Sequence, residues 1–415
     1  MEITHTTNNP ATTSVDALIA YVADATTMPS VLSELDASLG GAISRELSRE
    51  RLRAGKGDVT TITGGVDGPQ RIILATIGTT HDGERDAVRT VGGRLASACR
   101  AARATSVAMI ATGDAEQTAD VLEGYLLGAY RYERFKSHGS QHDADVDGVE
   151  ASRPAPLASL ELLGAQDDEA AAATRAATLA NAVNWGRDLA NAPANHLTPE
   201  ILGFHAEQLA QRHDHLSCTL LDRAEIEARG MGMLAGVAQG SSNEPRLIVL
   251  EWNPPQDTRP DAERLALIGK AVTFDTGGIS IKPSAGMAEM KLDKSGGCAV
   301  LAAMRAIAEL EVPRKVLAII GATENMPDAA AYKPGDVITA MDGTNVEITN
   351  TDAEGRLVLG DAICFARELG CSRLVEISTL TGAMVIALGH HFTGCVARHG
   401  DLTDQVLAAA QATGD

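Results

Sequence analysis

Short apolar runs alternate with amphipathic segments along both halves of the chain, and this alternation constrains the fold more than any other feature. In the first half, DALIAYVAD, QRIILATIG and TSVAMIAT have the composition of short buried strands. Amphipathic helices are predicted over residues 30–48, 84–102 and 114–136. Because strands and helices alternate, we expect an α/β layer with parallel strands.

The first half ends in a loop and a long helix. Residues 137–156 are rich in Ser, Gly, Asp and Pro and predict an exposed loop, after which LASLELLG predicts one more strand. Residues 167–190 are rich in alanine and predict a single helix. A chain of 415 residues exceeds one ordinary core. We therefore expect an N-terminal α/β domain over 1–165, a connecting helix over 166–190 and a second domain over 191–415.

The second half shows the same alternation with sharper signals. RLALIG predicts a buried strand that ends at Lys270, and RKVLAIIGA and SRLVEIST predict two further strands. Helices are predicted over 296–310 and 355–370, with Gly370 as a C-terminal stop. The run GDVITAMDGTNVEIT resembles a β-hairpin that turns at Asp342–Gly343. The second domain is therefore predicted to be α/β as well.

Charge, composition and missing motifs disfavour several classes of protein. The net charge of −20 disfavours a general nucleic-acid or anionic-membrane surface. No apolar run approaches the roughly 20 residues of a membrane helix, and MEITHTTNNP lacks the features of a signal peptide. The 6 cysteines include no CxxC pair, which is typical of a protein from a reducing compartment. We expect a cytoplasmic protein. The chain also contains no GxSxG, HExxH or GxxxxGK[ST] motif, and no GxGxxG after a strand.

Charged residues that follow predicted strands are the remaining candidates for chemistry. Lys270 and Asp275 come directly after a buried strand, where open α/β sheets form their ligand crevice, and Lys282 lies further along the same loop. Asp293 stands just before the next helix, and an ordinary N-cap would explain it if it were taken alone.

The stretch NTDAEGR places three charged side chains close together before another predicted helix. In an extended segment, residues two apart point the same way, so Asp352 and Glu354 can face one point. A solvated acidic turn is the alternative, with Arg356 neutralising one carboxylate. If Asp275 and Asp293 converge here, the four carboxylates fit two divalent cations better than salt bridges. The ligand types allow Zn²⁺, Mn²⁺ or Mg²⁺.

Several of these stretches together resemble a known family. The segments NTDAEGRL, GKAVTFDTGGISIKPSAGM, MKLD and STLTGA are similar to those of the leucyl aminopeptidase family, the M17 cytosol aminopeptidases. GRDLANAPANHLTP, ENMP, YKPGDV and GAYRYERFKS match as well. The resemblance implies a catalytic domain with a mixed central sheet. It also implies a two-metal exopeptidase that removes N-terminal residues, often leucine, from peptides.

The resemblance implies five metal ligands. Asp275 and Glu354 match the carboxylates that bridge both ions, and Lys270 and Asp293 match ligands of the more readily exchanged ion. Asp352 matches a ligand of the other ion. A lysine ligand must be neutral, so its pKa would have to be strongly lowered by adjacent cations.

The resemblance also implies catalytic and substrate-binding residues. Lys282 matches a charged lysine that contacts substrate and stabilises the oxygen of the tetrahedral intermediate. Arg356 matches the arginine that holds bicarbonate, a general base toward the bridging water. The positions that line the site and bind the substrate backbone are Met290, Thr379, Leu380 and Gly382. The family also assembles as homohexamers of two stacked trimers.

Two features depart from the family pattern. Lys294 directly follows Asp293, where many members have methionine, and a second cation there could alter affinity at the weaker metal site. Family members also continue well beyond the position of Asp415. We therefore expect the catalytic domain, and with it the pocket for the first side chain, to be incomplete in this chain.

Other interpretations of the sequence stay open. A regulator with the aminopeptidase fold could bind DNA through a basic patch such as RELSRERLRAGKG, although a solvated helix face explains that run as well. A phosphatase would also use a dinuclear centre, but the chain shows no phosphate-cradling loop. His390 and His391 are adjacent, so in an extended segment they would point to opposite faces, which favours a structural or surface role over a metal site.

Overall fold

A computed structural model describes residues 1–22, 28–49, 58–65, 67–77, 85–136, 159–256, 264–398 and 400–414. The strands are β1 (Glu2–Thr6), β2 (Ala17–Val22), β3 (Val59–Thr63), β4 (Arg71–Thr76), β5 (Val107–Ile110), β6 (Ser159–Leu163), β7 (Leu216–Leu221), β8 (Arg246–Trp252), β9 (Leu265–Asp275), β10 (Val316–Asn325), β11 (Val337–Thr339), β12 (Asn345–Glu347) and β13 (Arg373–Ile377). The α-helices are α1 (Ser30–Ser38), α2 (Ala42–Ser48), α3 (Arg85–Ala101), α4 (Ala115–Ala129), α5 (Asp167–Asn191), α6 (Pro199–Ala210), α7 (Arg223–Ala228), α8 (Gly232–Val237), α9 (Ser295–Glu309), α10 (Gly355–Glu368), α11 (Ala383–Leu388) and α12 (Gly400–Thr413).

The chain divides into two compact units, each with its own sheet, which confirms the two-domain α/β class. The first unit is Met1–Asn181 with Thr403–Asp415, and the second is Ala182–Leu402. The long predicted helix is confirmed as α5, and the division between the units falls inside it. Thr403–Asp415 lies with the first unit instead of the expected range 191–415. Arg85 and Arg89 on α3 explain this grouping, because their guanidinium groups donate to main-chain carbonyls near the end of α12.

A six-stranded sheet forms the centre of the first unit, in the order β1-β6-β5-β2-β4-β3. Its pairs are parallel except for β3 against β4. The apolar runs predicted as strands are confirmed as β2, β4, β5 and β6. Strand β2 is buried along its whole length because apolar clusters pack on both faces of the sheet.

Two predicted helices of the first unit are shorter than their sequence pattern. The segment 30–48 forms α1 and α2 instead of one helix, because Gly40 and Gly41 take the left-handed φ values of 60° and 82°. The helix predicted over 114–136 ends at Ala129, where Tyr130 turns to an extended conformation. The predicted loop 137–156 and most of the basic run RELSRERLRAGKG lie outside the described residues.

The second unit is built on a mixed five-stranded sheet in the order β13-β9-β10-β8-β7. The first three strands are parallel to one another, β8 runs antiparallel to β10, and β7 runs antiparallel to β8. Helices α9 and α10 contribute to separate apolar clusters, which are two cores of this unit. The predicted hairpin is confirmed as β11 and β12. Among the described helices, none is both long and apolar enough for a membrane span.

Candidate active site

The predicted site lies at the carboxyl end of β9, but this strand is longer than the sequence indicates. It runs to Asp275 instead of ending at Lys270, so Lys270 belongs to the strand interior and Asp275 is its last residue. Ala271, Val272 and Phe274 continue the apolar run beyond the lysine, and β9 pairs with β10 as far as Asp275 and Asn325. The sheet therefore holds the backbone of both charged residues in fixed positions.

Lys270 is buried and contacts two carboxylates. Its Nζ lies 2.8 Å from Asp293 Oδ1 and 2.9 Å from Glu354 Oε1, and it also donates to the main-chain carbonyl of Thr379 at 3.2 Å. Burial alone would lower the pKa of Lys270, but the two carboxylates outweigh it and raise the pKa above its ordinary value. The charged ammonium is therefore the favoured form in these surroundings.

Asp293 does not cap the following helix as its position in the sequence predicts. Lys294 is the N-cap residue of α9, and the Asp293 carboxylate turns toward Lys270 instead. Thr379, just after β13, donates its hydroxyl to Asp293 Oδ1 at 2.7 Å. Burial raises the pKa of Asp293 to about 7 even though Lys270 and Thr379 act against the rise. Such a carboxylate is stabilised by any further cation brought to it.

Asp352 and Glu354 do not lie in an extended segment. Thr351–Ala353 forms a 3₁₀ helix, held by the side chain of Asn350, which accepts from the Asp352 N–H at 2.9 Å. Glu354 is the N-cap residue of α10. Because the backbone is helical, the two carboxylates point to different partners: Glu354 contacts Lys270, whereas Asp352 contacts Lys282.

Lys282 joins Asp352 to Asp275 across a tight loop. Its Nζ lies 2.8 Å from Asp275 Oδ2 and is also within ion-pair contact of Asp352 Oδ1. Burial would lower the pKa of Lys282, but hydrogen bonds to the two carboxylates raise it, so the side chain is charged. The loop turns at Gly277, whose φ is 86°, and a Cβ there would lie 2.5 Å from the Ser280 carbonyl oxygen. Only glycine fits this close approach.

The chemistry of the cluster fits a divalent cation. Asp275, Asp293 and Glu354 each offer an oxygen, and these oxygens lie within 4.8 Å of one another in a buried position. Asp293 Oδ2 and Glu354 Oε2 are buried and have no hydrogen-bond partner among the described residues. Buried carboxylate oxygens carry a high desolvation cost unless they are paired or coordinate a metal. Asp352 lies outside this group of three carboxylates. It is linked to the group through Lys282, which contacts both Asp352 and Asp275.

The remaining predicted residues surround the cluster less closely. Arg356, on the first turn of α10, is exposed and forms no ion pair with a described residue. Met290 is partly buried in the 3₁₀ helix Met287–Leu292. Leu380 and Gly382 are exposed after β13, and Leu380 Cδ1 would lie 3.1 Å from a Cβ at Gly355. His390 and His391 are both exposed, as expected of surface residues.

Lys294 points away from the carboxylates. It is fully buried, and its Nζ donates to the main-chain carbonyl of Ala192 at 3.0 Å and to that of Lys291. Burial lowers the pKa of Lys294 to about 8. The side chain thus ties the 3₁₀ helix that precedes Asp293 to the loop after α5.

Asn325 and Tyr332 belong to the surroundings of the cluster, although the sequence did not indicate a role for either. Asn325 Nδ2 donates to Asp275 Oδ1 at 2.8 Å, and the Tyr332 hydroxyl donates to the Thr351 carbonyl at 2.8 Å. A polar residue at the carboxyl end of a buried strand is the signal that points to Asn325.

Comparisons with known proteins identify the family of the chain. The family model described as the cytosol aminopeptidase family, catalytic domain, matches residues 184–415. The model of the N-terminal domain of the same family matches residues 18–139. A probable cytosol aminopeptidase from Solibacter usitatus is 39% identical over 95% of this chain and 79% of that protein. Another from Roseiflexus castenholzii is 36% identical over 100% of this chain and 82% of that protein.

Solved structures show the same fold. A mutant of tomato leucine aminopeptidase superposes with a TM-score of 0.79 at 28% identity, over 100% of this chain and 81% of that one. The bottromycin maturation enzyme BotP in complex with Mn superposes with a TM-score of 0.72 at 31% identity, over 90% of this chain and 74% of that one.

The fold and the buried cluster, together with these likenesses, define the class as peptide hydrolases that act as aminopeptidases. Within that class, the chain belongs to the cytosol aminopeptidase family, M17.

Proposed function

We propose that this protein is a metal-dependent leucyl aminopeptidase, which hydrolyses the N-terminal residue from peptides and prefers leucine or another apolar residue. The observation that carries the proposal is the buried group of Asp275, Asp293 and Glu354, whose oxygens lie within 4.8 Å of one another. The Mn complex of the related BotP supports a divalent cation as the cofactor, with Mn²⁺ or Zn²⁺ as the leading choices and Mg²⁺ as the alternative.

Two ions would be held by the five predicted ligands. Lys270 contacts both Asp293 and Glu354, and Lys282 contacts both Asp275 and Asp352. Two cations bound there would lower the pKa of a water and polarise the carbonyl of the scissile peptide bond. Cations bound there would neutralise the carboxylates that raise the pKa of Lys270 and would lower that pKa, so the proton would pass to solvent and the neutral amine could serve as a ligand.

The residues of the chain contribute three further functions to the reaction. Lys282, which its surroundings keep charged, would stabilise the negative charge that develops on the carbonyl oxygen. Arg356 is exposed and not ion-paired with a described residue, so its guanidinium is available for an anion such as bicarbonate. A free α-amine can coordinate a divalent cation and an acylated one cannot, so a cation held by Lys270 and Asp293 would account for selectivity for the N-terminus.

A chelation experiment tests the proposal. The protein would be treated with a chelator, dialysed and reloaded with Mn²⁺ or Zn²⁺, and release of p-nitroaniline from leucine p-nitroanilide would be followed. We expect activity to disappear on chelation and to return on reloading. Activity that chelation leaves unchanged would exclude the two-metal mechanism.

Assembly and an alternative function are tested separately. We also propose the homohexamer of the family, for which light scattering should give six times the mass of one chain.

An aminopeptidase-fold regulator that binds DNA would need no intact ligand set, and the presence of all five ligands supports the enzyme instead. A gel shift with duplex DNA at near-physiological salt should show no complex.

A further inference from the structure

Asn325, the last residue of β10, lies between the two halves of the acidic cluster. Its side chain is fully buried. The pairing of β10 with β9 shifts register between Thr323 and Glu324, and this irregularity places Asn325 opposite Asp275. The shift passes over Thr273 of β9, and without it Asn325 would lie opposite Phe274 instead of Asp275.

The amide nitrogen of Asn325 makes two contacts, and both are to oxygens. It donates to Asp275 Oδ1 at 2.8 Å and to the main-chain carbonyl of Thr351 at 3.0 Å. Because both partners are acceptors, only the NH₂ group can satisfy them, which fixes the orientation of the amide. Its Oδ1 faces Gly278, where a Cβ would come within 2.7 Å, and has no partner among the described residues.

The two oxygens of Asp275 are held in different ways as a result. Oδ1 accepts from Asn325 Nδ2 and from the Gly277 N–H, each at 2.8 Å. Oδ2 contacts the Nζ of Lys282 at 2.8 Å. Two neutral donors on Oδ1 fix the rotation of the carboxylate and leave Oδ2 as the oxygen that can exchange an ammonium for another cation.

The contact with Thr351 links the other half of the cluster. The Thr351 carbonyl also accepts from the Tyr332 hydroxyl at 2.8 Å, so the segment that leads to Asp352 and Glu354 is held by two side chains. Burial raises the pKa of Tyr332, so its hydroxyl keeps the proton that it donates. Of these two donors, Asn325 is the one that also contacts Asp275, and it therefore joins the end of β9 to the start of α10.

We propose that Asn325 is a positioning residue for the divalent-cation site: its amide sets the rotation of Asp275 and keeps Asp275 in register with the Thr351–Glu354 segment. The inference rests on the proposed metal dependence of the enzyme. Outer contacts of this kind orient ligands, and their loss typically weakens metal affinity roughly 10–100-fold. If Asn325 had a purely structural role, that role would depend only on its hydrogen bond to the Thr351 carbonyl. Tyr332 donates to the same carbonyl, so its loss would then have a similar effect.

Asn325→Leu and Tyr332→Phe form a matched pair that separates the two roles. Both substitutions remove one donor to the Thr351 carbonyl, but only Asn325→Leu also removes the donor to Asp275. The dissociation constant for Mn²⁺ would be measured on the full chain, by titration with the EPR signal of free aqueous Mn²⁺. The urea midpoint of each variant would be measured in excess chelator, where metal binding makes no contribution.

We expect Asn325→Leu to weaken Mn²⁺ binding roughly 10–100-fold, whereas Tyr332→Phe stays within about threefold of the unsubstituted chain. Equal affinities in the two variants, or unchanged affinity in Asn325→Leu, would overturn the proposal. If Asn325→Leu does not fold, Asn325→Ala gives the same test without introducing methyl groups beside the carboxylates. An unsubstituted chain that binds no Mn²⁺ would contradict the proposed function itself, and the two failures are therefore distinguishable.

Discussion

Lys270 and Glu354 form a buried ion pair in which the lysine Nζ lies 2.9 Å from Glu354 Oε1. The lysine belongs to the interior of a strand and the glutamate is the N-cap residue of a helix, so the pair joins β9 to α10. Both side chains are almost fully excluded from water, with exposures of 2% and 3%. A buried pair of this kind is costly to form, because both charges lose their hydration.

Glu354→Gln tests the glutamate as a metal ligand. The amide keeps the size of the side chain but removes the negative charge, so we expect both Mn²⁺ binding and peptidase activity to be lost together. Activity should fall at least about 100-fold, equivalent to about 2.7 kcal/mol of transition-state stabilisation. Glu347→Gln, at an exposed glutamate on β12, is the control and should leave both unchanged. Retention of Mn²⁺ binding by Glu354→Gln would remove the glutamate from the ligand set.

Lys282→Met separates charge stabilisation from metal binding. Methionine preserves most of the apolar stem of the lysine but has no ammonium group. Asp275 and Asp352 therefore lose the cation with which both are paired. We expect Mn²⁺ affinity to stay the same or rise, while kcat falls roughly 10²–10³-fold with the loss of one charged donor. Lys333→Met serves as the control, because Lys333 is exposed and pairs only locally with Asp336. Metal loss equal to that of Glu354→Gln would contradict the separate roles.

Thr379→Val tests whether this threonine acts on Asp293. The resemblance to the family implies that Thr379 contacts substrate, but here its hydroxyl donates to Asp293 Oδ1 at 2.7 Å. Valine keeps the shape and loses the donor, so we expect Mn²⁺ affinity to fall roughly tenfold, whereas Thr379→Ser should restore it. A change confined to KM, with Mn²⁺ affinity unaltered in both variants, would favour the substrate contact alone.

Asp361→Ala tests a structural contact away from the cluster. Asp361 is fully buried on α10 and accepts from the N–H groups of Leu234 and Met341, each at 2.9 Å. Two buried donors left without partners cost about 1–3 kcal/mol each, so we expect a clearly lower urea midpoint. Asp342→Ala is the control, because this exposed carboxylate accepts from Thr344 within one turn. Equal urea midpoints for Asp361→Ala and Asp342→Ala would mean that water accepts from the Leu234 and Met341 N–H groups in place of Asp361.

The sequence predicted the fold well where apolar runs were uninterrupted and polar flanks were clear. Strands β2, β4, β5 and β13 match the predicted segments because each is a short run of apolar residues, whereas β10 continues beyond its predicted segment to Asn325. The predicted strand ended too early at Lys270, because this residue interrupts the apolar run. The pairing of β9 with β10 shows that the strand continues to Asp275. Strand β1 was missed, since EITHT is short, mostly polar and lies at the edge of its sheet.

The sequence indicated which charged residues form the cluster, but not how they pair. Spacing and the family resemblance identified Lys270, Lys282 and four carboxylates. Which lysine meets which carboxylate depends on the helical turn at Thr351–Ala353 and on the position of Thr379, and both are tertiary features. Asn325 ends a buried strand, which is a signal in the sequence, but its contact with Asp275 depends on a register shift that the sequence does not show.

Stepwise addition of Mn²⁺ to the chelator-treated protein, with bound metal and leucine p-nitroanilide hydrolysis measured at each step, tests the two-metal aminopeptidase most directly. We predict that two ions bind per chain, that activity rises steeply only as the second site fills, and that an N-acetylated leucine substrate is not cleaved. Full activity in the chelator, activity complete with one ion, or cleavage of the acetylated substrate at the same rate would contradict it.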